Sequence, residues 1–287
     1  MKYRSMPMTE DDTLYVEAAM DAYDDAVAPP EEGAFDACLV YKILGPNDVI
    51  IAGCVAQIDT WDVVNIDTLW VSKKYRKKGL GTALMREAER EAAEMGCNLS
   101  ILGTFDFQAV EFYEKLGYTV VGMTEDWPKG HSNYMLCKRL GFSTNQPEDP
   151  LPFEIVMGEE EDAVYLGEKL ADYNQSQVPI TQEYQSFDTK LVDDAGAMMA
   201  ACVAGIGGWQ DGNIDMLWVE EDHRHRGLGT ALLREAEREA KARGGALMLV
   251  EAFDWNVGFF LKNGYTVTGT IEDLPKGHTF YTMRKCL

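Results

Sequence analysis

Basic residues followed by two glycines form the segment of this chain with the clearest capacity for chemistry. The run Arg76-Lys77-Lys78-Gly79-Leu80-Gly81-Thr82 follows the apolar residues Leu69-Trp70-Val71 and opens a helical pattern. Free amides at a helix N-terminus attract phosphate, and glycines let a ligand approach the backbone closely. The basic side chains add positive charge at the same point. The segment is therefore predicted to bind an anionic, phosphate-bearing ligand.

The same segment occurs a second time. Leu217-Trp218-Val219 precedes the run Arg224-His225-Arg226-Gly227-Leu228-Gly229-Thr230. Further downstream, Pro128-Lys129-Gly130-His131 matches Pro275-Lys276-Gly277-His278. A repeat of this length indicates a duplicated domain rather than a solenoid. We expect one domain in residues 1–144, a Pro-rich linker in 145–152 and a second domain in 153–287.

Two other phosphate-binding motifs fit the glycines poorly. A nucleotide P-loop requires Lys-Ser or Lys-Thr after its last glycine, and neither Gly81 nor Gly229 is followed by such a pair. A dinucleotide-binding fold requires a third glycine, which Ala83-Leu84 and Ala231-Leu232 replace. The spacing therefore favours a third kind of phosphate site.

Composition limits the partners. The 287 residues carry a formal net charge of −22, which disfavours nucleic acid and membrane surfaces and suits a cationic amine. No leader-like or membrane-spanning apolar run is evident, and the six cysteines form no CxxC pair. We therefore expect a cytoplasmic protein with reduced thiols, acting as a monomer or homodimer. The four histidines lack metal-site spacing, so no metal is expected.

The elements that position these residues follow from periodicity. Helices are predicted at 10–27 after the N-cap Thr9, at 80–95 and at 107–116. Strands are predicted at 37–44, 49–58, 63–71, 98–104, 118–124 and 132–138, and the second half repeats this order. On the helix at 80–95 we expect a buried apolar stripe and an exposed side with Arg86, Glu87, Glu89 and Arg90. The result is a mixed α/β (α+β) fold with helices on both faces of each sheet.

Together with a downstream signature, the glycine motif resembles the GNAT superfamily of N-acetyltransferases. The pattern Arg-x-x-Gly-x-Gly after a strand resembles the family's pyrophosphate-binding motif, and Phe112-Tyr113-Glu114-Lys115-Leu116-Gly117-Tyr118 resembles its second hallmark. The second motif departs from the family where Asp106 stands for Asn and Tyr118 for Phe. The resemblance covers both halves and implies two domains, each with a mixed, mostly antiparallel central sheet.

The resemblance also implies roles. Acetyl-CoA would lie between splayed strands at 63–71 and 98–104, and Tyr113 would protonate the departing thiolate. Asp67 is the candidate base, and a structural role for Asp67 stays open. Asn65, its neighbour on the same face, is a candidate substrate contact. His131 is a candidate substrate contact or part of a shared loop conformation. The implied coenzyme-binding positions are Leu69, Val71, Arg76, Lys77, Lys78, Gly79, Gly81 and Thr82, with Leu217, Val219, Arg224, His225, Arg226, Gly227, Gly229 and Thr230 in the second half.

The halves differ at the expected acid, because Phe260 falls where Tyr113 lies. We therefore expect the first half to catalyse. For the second half, a degenerate domain that binds coenzyme A, a domain that shapes the substrate site and a weaker catalyst stay open. The leading hypothesis is transfer of an acetyl group from acetyl-CoA to a primary amine of a small, cationic molecule by direct attack. An acyl-CoA-binding module, and a protein or peptide amine acetyltransferase with one inactive half, stay open as alternatives.

Overall fold

The computed structural model describes residues 3–30, 36–141 and 152–287. Two compact units divide the chain. We call Pro30–Met123 with His131–Pro179 the first unit, because it holds the first glycine motif. Met1–Pro29, Thr124–Gly130 and Ile180–Leu287 form the second unit. The predicted linker at 145–152 lies, except for its last residue, outside the described residues, so that boundary stays a prediction.

The elements match the predicted order closely. The strands are β1 Arg4–Pro7, β2 Ala37–Leu44, β3 Ile50–Ile58, β4 Val63–Val71, β5 Leu99–Phe105, β6 Thr119–Glu125, β7 Ser132–Arg139, β8 Ile155–Met157, β9 Gln185–Ser186, β10 Thr189–Val192, β11 Met198–Ile206, β12 Asp211–Val219, β13 Leu247–Phe253, β14 Thr266–Glu272 and β15 Thr279–Cys286. The α-helices are α1 Glu10–Val27, α2 Leu80–Glu94, α3 Val110–Lys115, α4 Glu160–Gln177, α5 Leu228–Ala242 and α6 Val257–Lys262.

Each unit is built on a mixed, mostly antiparallel sheet, as predicted. The first unit has the order β6-β7-β5-β4-β3-β2-β8, and the second has β1-β10-β11-β12-β13-β15-β14, with β9 pairing β11. The central pairs β4–β5 and β12–β13 are parallel, whereas β3–β4, β5–β7, β11–β12 and β13–β15 are antiparallel. The parallel pair lies at the centre of each sheet, where a ligand can reach the strand ends.

Each unit takes one edge strand and one helix from the other half of the sequence. Strand β8 pairs with β2 in the first unit, and β1 pairs with β10 in the second. Helix α4 packs on the first sheet through Leu166, which forms a buried cluster with Val40 and Val55. A Cβ added at Gly53 would lie 2.4 Å from Leu166, so glycine there permits the close approach of α4. The first unit is therefore completed by residues 155–177.

Helix α2 covers the opposite face, with the predicted stripe Leu80, Leu84, Ala88 and Ala92 fully buried. The expectation that Glu89 is exposed is wrong, because only 8% of the residue is exposed. Its Oε2 lies 2.5 Å from the Lys138 ammonium of β7. A carboxylate can be buried when it is paired, and the partner here is remote in sequence. Among the described residues, no helix is both long and apolar enough to cross a membrane.

Candidate active site

The central parallel strands separate in both units. Ladder pairing joins β4 to β5 only at Val63–Asn65, opposite 99–101. In the second unit it joins Asp211–Ile214 to Leu247–Val250. Beyond these pairs the described strands part, which leaves backbone groups of the two strand ends available to a ligand. The opening on the strands predicted at 63–71 and 98–104 is therefore present.

A β-bulge lies where the opening begins. Val55 pairs with Thr68 and Ala56 pairs with Ile66, which leaves Asp67 as the extra residue of β4. The same shift in the second unit leaves Asp215 unpaired in β12. A bulge bends its strand and turns the extra side chain away from its regular direction. Both aspartates thus lie one or two residues beyond the last ladder pair between the central parallel strands.

The glycine loop presents backbone amides in the predicted way. Lys77 and Gly79 adopt φ of 60° and 81°, and His225 and Gly227 adopt 60° and 83°. Gly79 is the N-cap of α2 and offers no side-chain acceptor to the first turn. Those amides stay open to an anion, and the helix dipole favours negative charge there. A left-handed N-cap conformation is the reason that glycine stands at this position.

The arginine at the matching position of each motif holds its own loop. Arg76 Nε donates to the Val71 carbonyl at 3.0 Å, and Arg224 Nε donates to the Val219 carbonyl at the same distance. Lys78 is exposed, with its ammonium 5.2 Å from the Tyr75 ring. The remaining predicted coenzyme-binding residues lie on the same strand ends, in the loops that follow them or on the first turns of the helices: Leu69, Lys77, Gly81, Thr82, Leu217, Arg226, Gly229 and Thr230.

Helix α3 closes one side of the loop. A Cβ added at Gly81 would meet the Phe112 ring at 3.4 Å, and one at Gly229 would meet Phe259 at the same distance. A Cβ at Gly81 would be in van der Waals contact with Phe112, so a long side chain there would have to displace that ring. Little space therefore separates the start of α2 from α3.

Tyr113 lies almost fully inside the protein, with 8% of its surface exposed. Its ring packs edge-on against Phe112 and Tyr118. Burial, and the nearby Cys54 thiol, raise the pKa of Tyr113 above its ordinary value. The hydroxyl consequently holds its proton at neutral pH, which is the protonation state that a general acid requires. Phe260 is equally buried in the second unit and has no proton to give.

Asp67 and Asn65 lie together on β4. Asn65 Nδ2 donates to Asp67 Oδ1 at 2.6 Å, and Asn213 donates to Asp215 at 2.5 Å. The Asp67 side chain is reached by solvent, yet partial burial in the opening raises its pKa, against hydrogen bonds from Gln57 and Asn65. A carboxylate with a raised pKa is a better proton acceptor. Asp67 and Tyr113 both lie within electrostatic range of the buried Cys54.

His131 is fixed by a carboxylate. Its Nδ1 lies 2.8 Å from Asp106 Oδ1, and Asp106 Oδ2 accepts the Ser132 amide at 3.1 Å. The second unit repeats the pair with His278 and Asp254 at 3.1 Å. Asp106 is the residue that departs from the family's Asn, and its partner is the histidine of the matched loop. The pairing accounts for an aspartate at this place.

Sequence reasoning missed two differences between the units. Glu251 on β13 stands where the first unit has Gly103 on β5, and burial, with Asp215 nearby, raises the Glu251 pKa. The loop after β12 also begins with Glu221 and Asp222, where the loop after β4 begins with Lys73 and Lys74. Aligning the two repeats residue by residue would have found both. The second opening is thus more acidic than the first.

Comparisons with known proteins give one consistent description. The model of the "Acetyltransferase (GNAT) family" matches residues 6–118 and 159–265. A blasticidin-S acetyltransferase of Streptomyces morookaense is 36% identical over 97 residues, or 33% of this chain and 71% of that protein. An acetyltransferase structure from Bacillus cereus ATCC 14579 is 32% identical and covers 47% of this chain and 96% of its own, with a TM-score of 0.44. The PaiA N-acetyltransferase of Thermoplasma acidophilum in complex with coenzyme A is 19% identical, over 45% and 80% of the two chains, with a TM-score of 0.32.

Proposed function

Since the chain belongs to the GNAT acetyltransferase family and is an acyltransferase, we propose that its first unit acetylates a primary amine of a small, cationic molecule with acetyl-CoA. One observation carries the proposal. The first unit has a splayed parallel strand pair, an uncapped helix start, and a buried tyrosine on the helix that packs against that start.

The residues present fit acetyl-CoA. The open amides at the start of α2 and the exposed Lys77 and Lys78 offer donors and positive charge to a diphosphate. Backbone groups of Leu69 and Val71, which have no ladder partner on β5, can pair with an extended amide-bearing arm. When bound, acetyl-CoA supplies a thioester, which is an activated acyl group.

The chain's own groups then have simple tasks. Asp67, aided by Asn65, accepts the proton that the amine loses as its nitrogen forms the new C–N bond. As the C–S bond breaks, Tyr113 gives its proton to the thiolate. Holding donor and acceptor in one opening supplies much of the rate, and no covalent enzyme intermediate is required.

Charge favours a cationic acceptor. The chain carries a net charge of −22, and Asp67 lies on β4 two residues beyond the last ladder pair with β5. The relative of 36% identity is named for acetylation of blasticidin-S, which supports a small-molecule acceptor for this chain also. His131, fixed by Asp106, is proposed to contact that acceptor.

The test is a panel of small amines, basic peptides and acetyl-CoA, read by release of free thiol. Turnover with small cationic amines is the expected result. Turnover with basic peptides alone would contradict a small-molecule acceptor and favour acetylation of protein or peptide amines. Calorimetric binding of acetyl-CoA without turnover on any amine would contradict catalysis and favour a coenzyme-binding module.

For the second unit we propose coenzyme binding or support of the fold without catalysis. Phe260 replaces the acid, and Glu221 and Asp222 place negative charge beside the anion-binding loop. Negative charge at that position weakens diphosphate binding. A binding stoichiometry of two acetyl-CoA per chain would support coenzyme binding by the second unit, and one per chain would support a role in the fold alone. Independent turnover by the second unit would contradict both.

A further inference from the structure

One side chain from the second half of the sequence contacts both sides of the first opening. Tyr173 lies on α4 and is half-buried. Its hydroxyl donates to the Phe107 carbonyl, just after β5, at 2.9 Å. Its ring lies beneath the Arg76 guanidinium, in the loop after β4, at 4.9 Å. Tyr173 therefore connects the two strand ends that the ladder leaves apart.

Each contact of Tyr173 is anchored to a strand. Arg76 Nε holds the Val71 carbonyl at the end of β4. On the other side, Gln108 Oε1 accepts the Phe105 amide at 2.8 Å, and Gln108 Nε2 donates to Asn174 of α4 at 2.7 Å. Movement of α4 would therefore be transmitted to both strand ends.

The opening needs such a connection. Ladder bonds between β4 and β5 stop at Asn65, so the spacing of Val71 and Phe105 depends on side chains and on the elements packed over them. A bound arm that pairs with one strand and a diphosphate held by the neighbouring loop both depend on that spacing. An error of about 1 Å in such geometry is enough to weaken a site strongly.

The second unit offers a natural comparison. Tyr23 of α1 lies beneath Arg224 at 4.9 Å, as Tyr173 lies beneath Arg76. The Tyr23 ring also meets Trp218 edge-on. Within the described part of the chain, however, the Tyr23 hydroxyl makes no hydrogen bond to the loop after β13. On that side of the second opening the contact comes instead from Asp24 of α1, whose carboxylate lies beside Trp255. Among the described residues, a single tyrosine that contacts both sides is therefore found in the first unit alone.

We propose that Tyr173 is a positioning residue that sets the spacing of the first opening and thereby its affinity for acetyl-CoA. The proposal rests on the proposed function for its ligand and adds a residue that acts through Arg76 and Phe107. It also assigns part of the first active site to the second half of the sequence.

The experiment compares Tyr173→Phe and Tyr173→Leu in the full chain with the matched controls Tyr23→Phe and Tyr23→Leu. Three quantities are measured: the Kd of acetyl-CoA by calorimetry, amide hydrogen exchange at residues 71–76 and 106–110, and the thermal midpoint. Loss of one hydrogen bond should raise Kd about threefold to tenfold in Tyr173→Phe. Loss of the ring as well should raise it further, by about tenfold or more, in Tyr173→Leu.

Exchange should accelerate on both sides of the opening in Tyr173→Leu, and on the 106–110 side in Tyr173→Phe. The Tyr23 variants should leave the first-unit exchange at its wild-type rate. If Tyr173→Leu lowers only the thermal midpoint, with Kd and exchange well below that temperature unchanged, the residue is merely structural and the proposal is wrong. If the wild type binds no acetyl-CoA, the proposed function fails. Amide exchange then still tests the role of Tyr173: faster exchange on both sides in Tyr173→Leu supports the connection, and unchanged exchange contradicts it.

Discussion

Tyr113 and Phe260 occupy the same place in the two units, with nearly the same ring geometry. The Tyr113 ring lies 5.9 Å from Tyr118 at an interplanar angle of 73°, and the Phe260 ring lies 5.6 Å from Tyr265 at 71°. Packing is thus retained while one hydroxyl is lost. Because the ring packs in the same way with and without the hydroxyl, the effect of the Tyr113 hydroxyl on catalysis can be measured separately from the effect of the ring on core packing.

Replacing Tyr113 with Phe should therefore reduce turnover without unfolding the first unit. Because the second unit already accommodates Phe there, we expect a stability change below about 1 kcal/mol. Loss of the acid should lower kcat by about 10²- to 10⁴-fold and leave the Kd of acetyl-CoA near its wild-type value. Steady-state kinetics and calorimetry measure both quantities. The reciprocal variant Phe260→Tyr is the control, and an unchanged kcat in Tyr113→Phe would exclude Tyr113 as the acid.

The two glycine loops should respond unequally to a negative charge. Gly81→Glu brings a carboxylate to the anion-binding turn and presses on Phe112, so the Kd of acetyl-CoA should rise by about 100-fold or more. Gly229→Glu makes the same change in the second unit and should lower kcat/KM by about twofold or less if the first unit catalyses. Turnover assays on the two variants in parallel decide the assignment. Loss of activity confined to Gly229→Glu would reverse it.

Local signals in the sequence predicted the elements well. The helix at 10–27 begins where Thr9 predicted it, because Thr9 and Asp12 form a capping box that depends only on neighbouring residues. The periodicity of α2 likewise identified its buried stripe. The fold class could be predicted because it depends on the order of these elements along the chain, and that order can be read directly from the sequence.

The exchange of β1 and α1 against β8 and α4 was not predictable from the repeats. Lys42 binds Asp162 in the first unit, and Lys190 binds Asp12 in the second. The repeats carry a lysine and an aspartate at matching places. Lys42 could therefore also pair with Asp12, and Lys190 with Asp162, if each half kept its own first helix. The pattern of charges cannot discriminate between the two pairings. Tertiary packing decides it, which is why the role of Tyr173 in the first unit was missed.

The sequence identified candidate site residues one by one, but it did not predict which of them are in contact. The motif identified Asp106 and His131 separately, and their contact spans a strand pairing that the sequence does not encode locally. Glu251 was overlooked because one glutamate in a strand is an ordinary edge or surface residue. Its significance comes from the opening beside it, which only the arrangement of β12 and β13 creates.

The pH dependence of turnover should report on Asp67. Burial raises its pKa above the ordinary value of 3.8, and hydrogen bonds from Gln57 and Asn65 oppose that shift by stabilising the charged form. Activity that requires the charged carboxylate is lost as the pH falls through the raised pKa. Removing one stabilising bond in Asn65→Ala raises the pKa further, so the acid limb of kcat/KM should move upward by about half a unit to one unit. Asn213→Ala is the matched control in the second unit, and an acid limb that stays in place in both variants would exclude Asp67 as the base.

A stability comparison on helix α2 tests the buried ion pair. Glu87 and Glu89 belong to the same helix, yet Glu87 pairs with Arg90 at the surface, whereas Glu89 lies buried with Lys138. Removing one partner of a buried pair leaves an uncompensated charge, while an exposed pair contributes little. Glu89→Ala should lower the free energy of unfolding by about 2–3 kcal/mol, at the lower end for such pairs because Lys138 retains contact with solvent. Glu87→Ala should change it by less than about 0.5 kcal/mol.

Chemical denaturation of both variants measures the difference, and a double variant Glu89→Ala with Lys138→Ala should recover part of the loss. Equal destabilisation by Glu87→Ala and Glu89→Ala would show that the pairing with β7 does not stabilise the helix on its sheet.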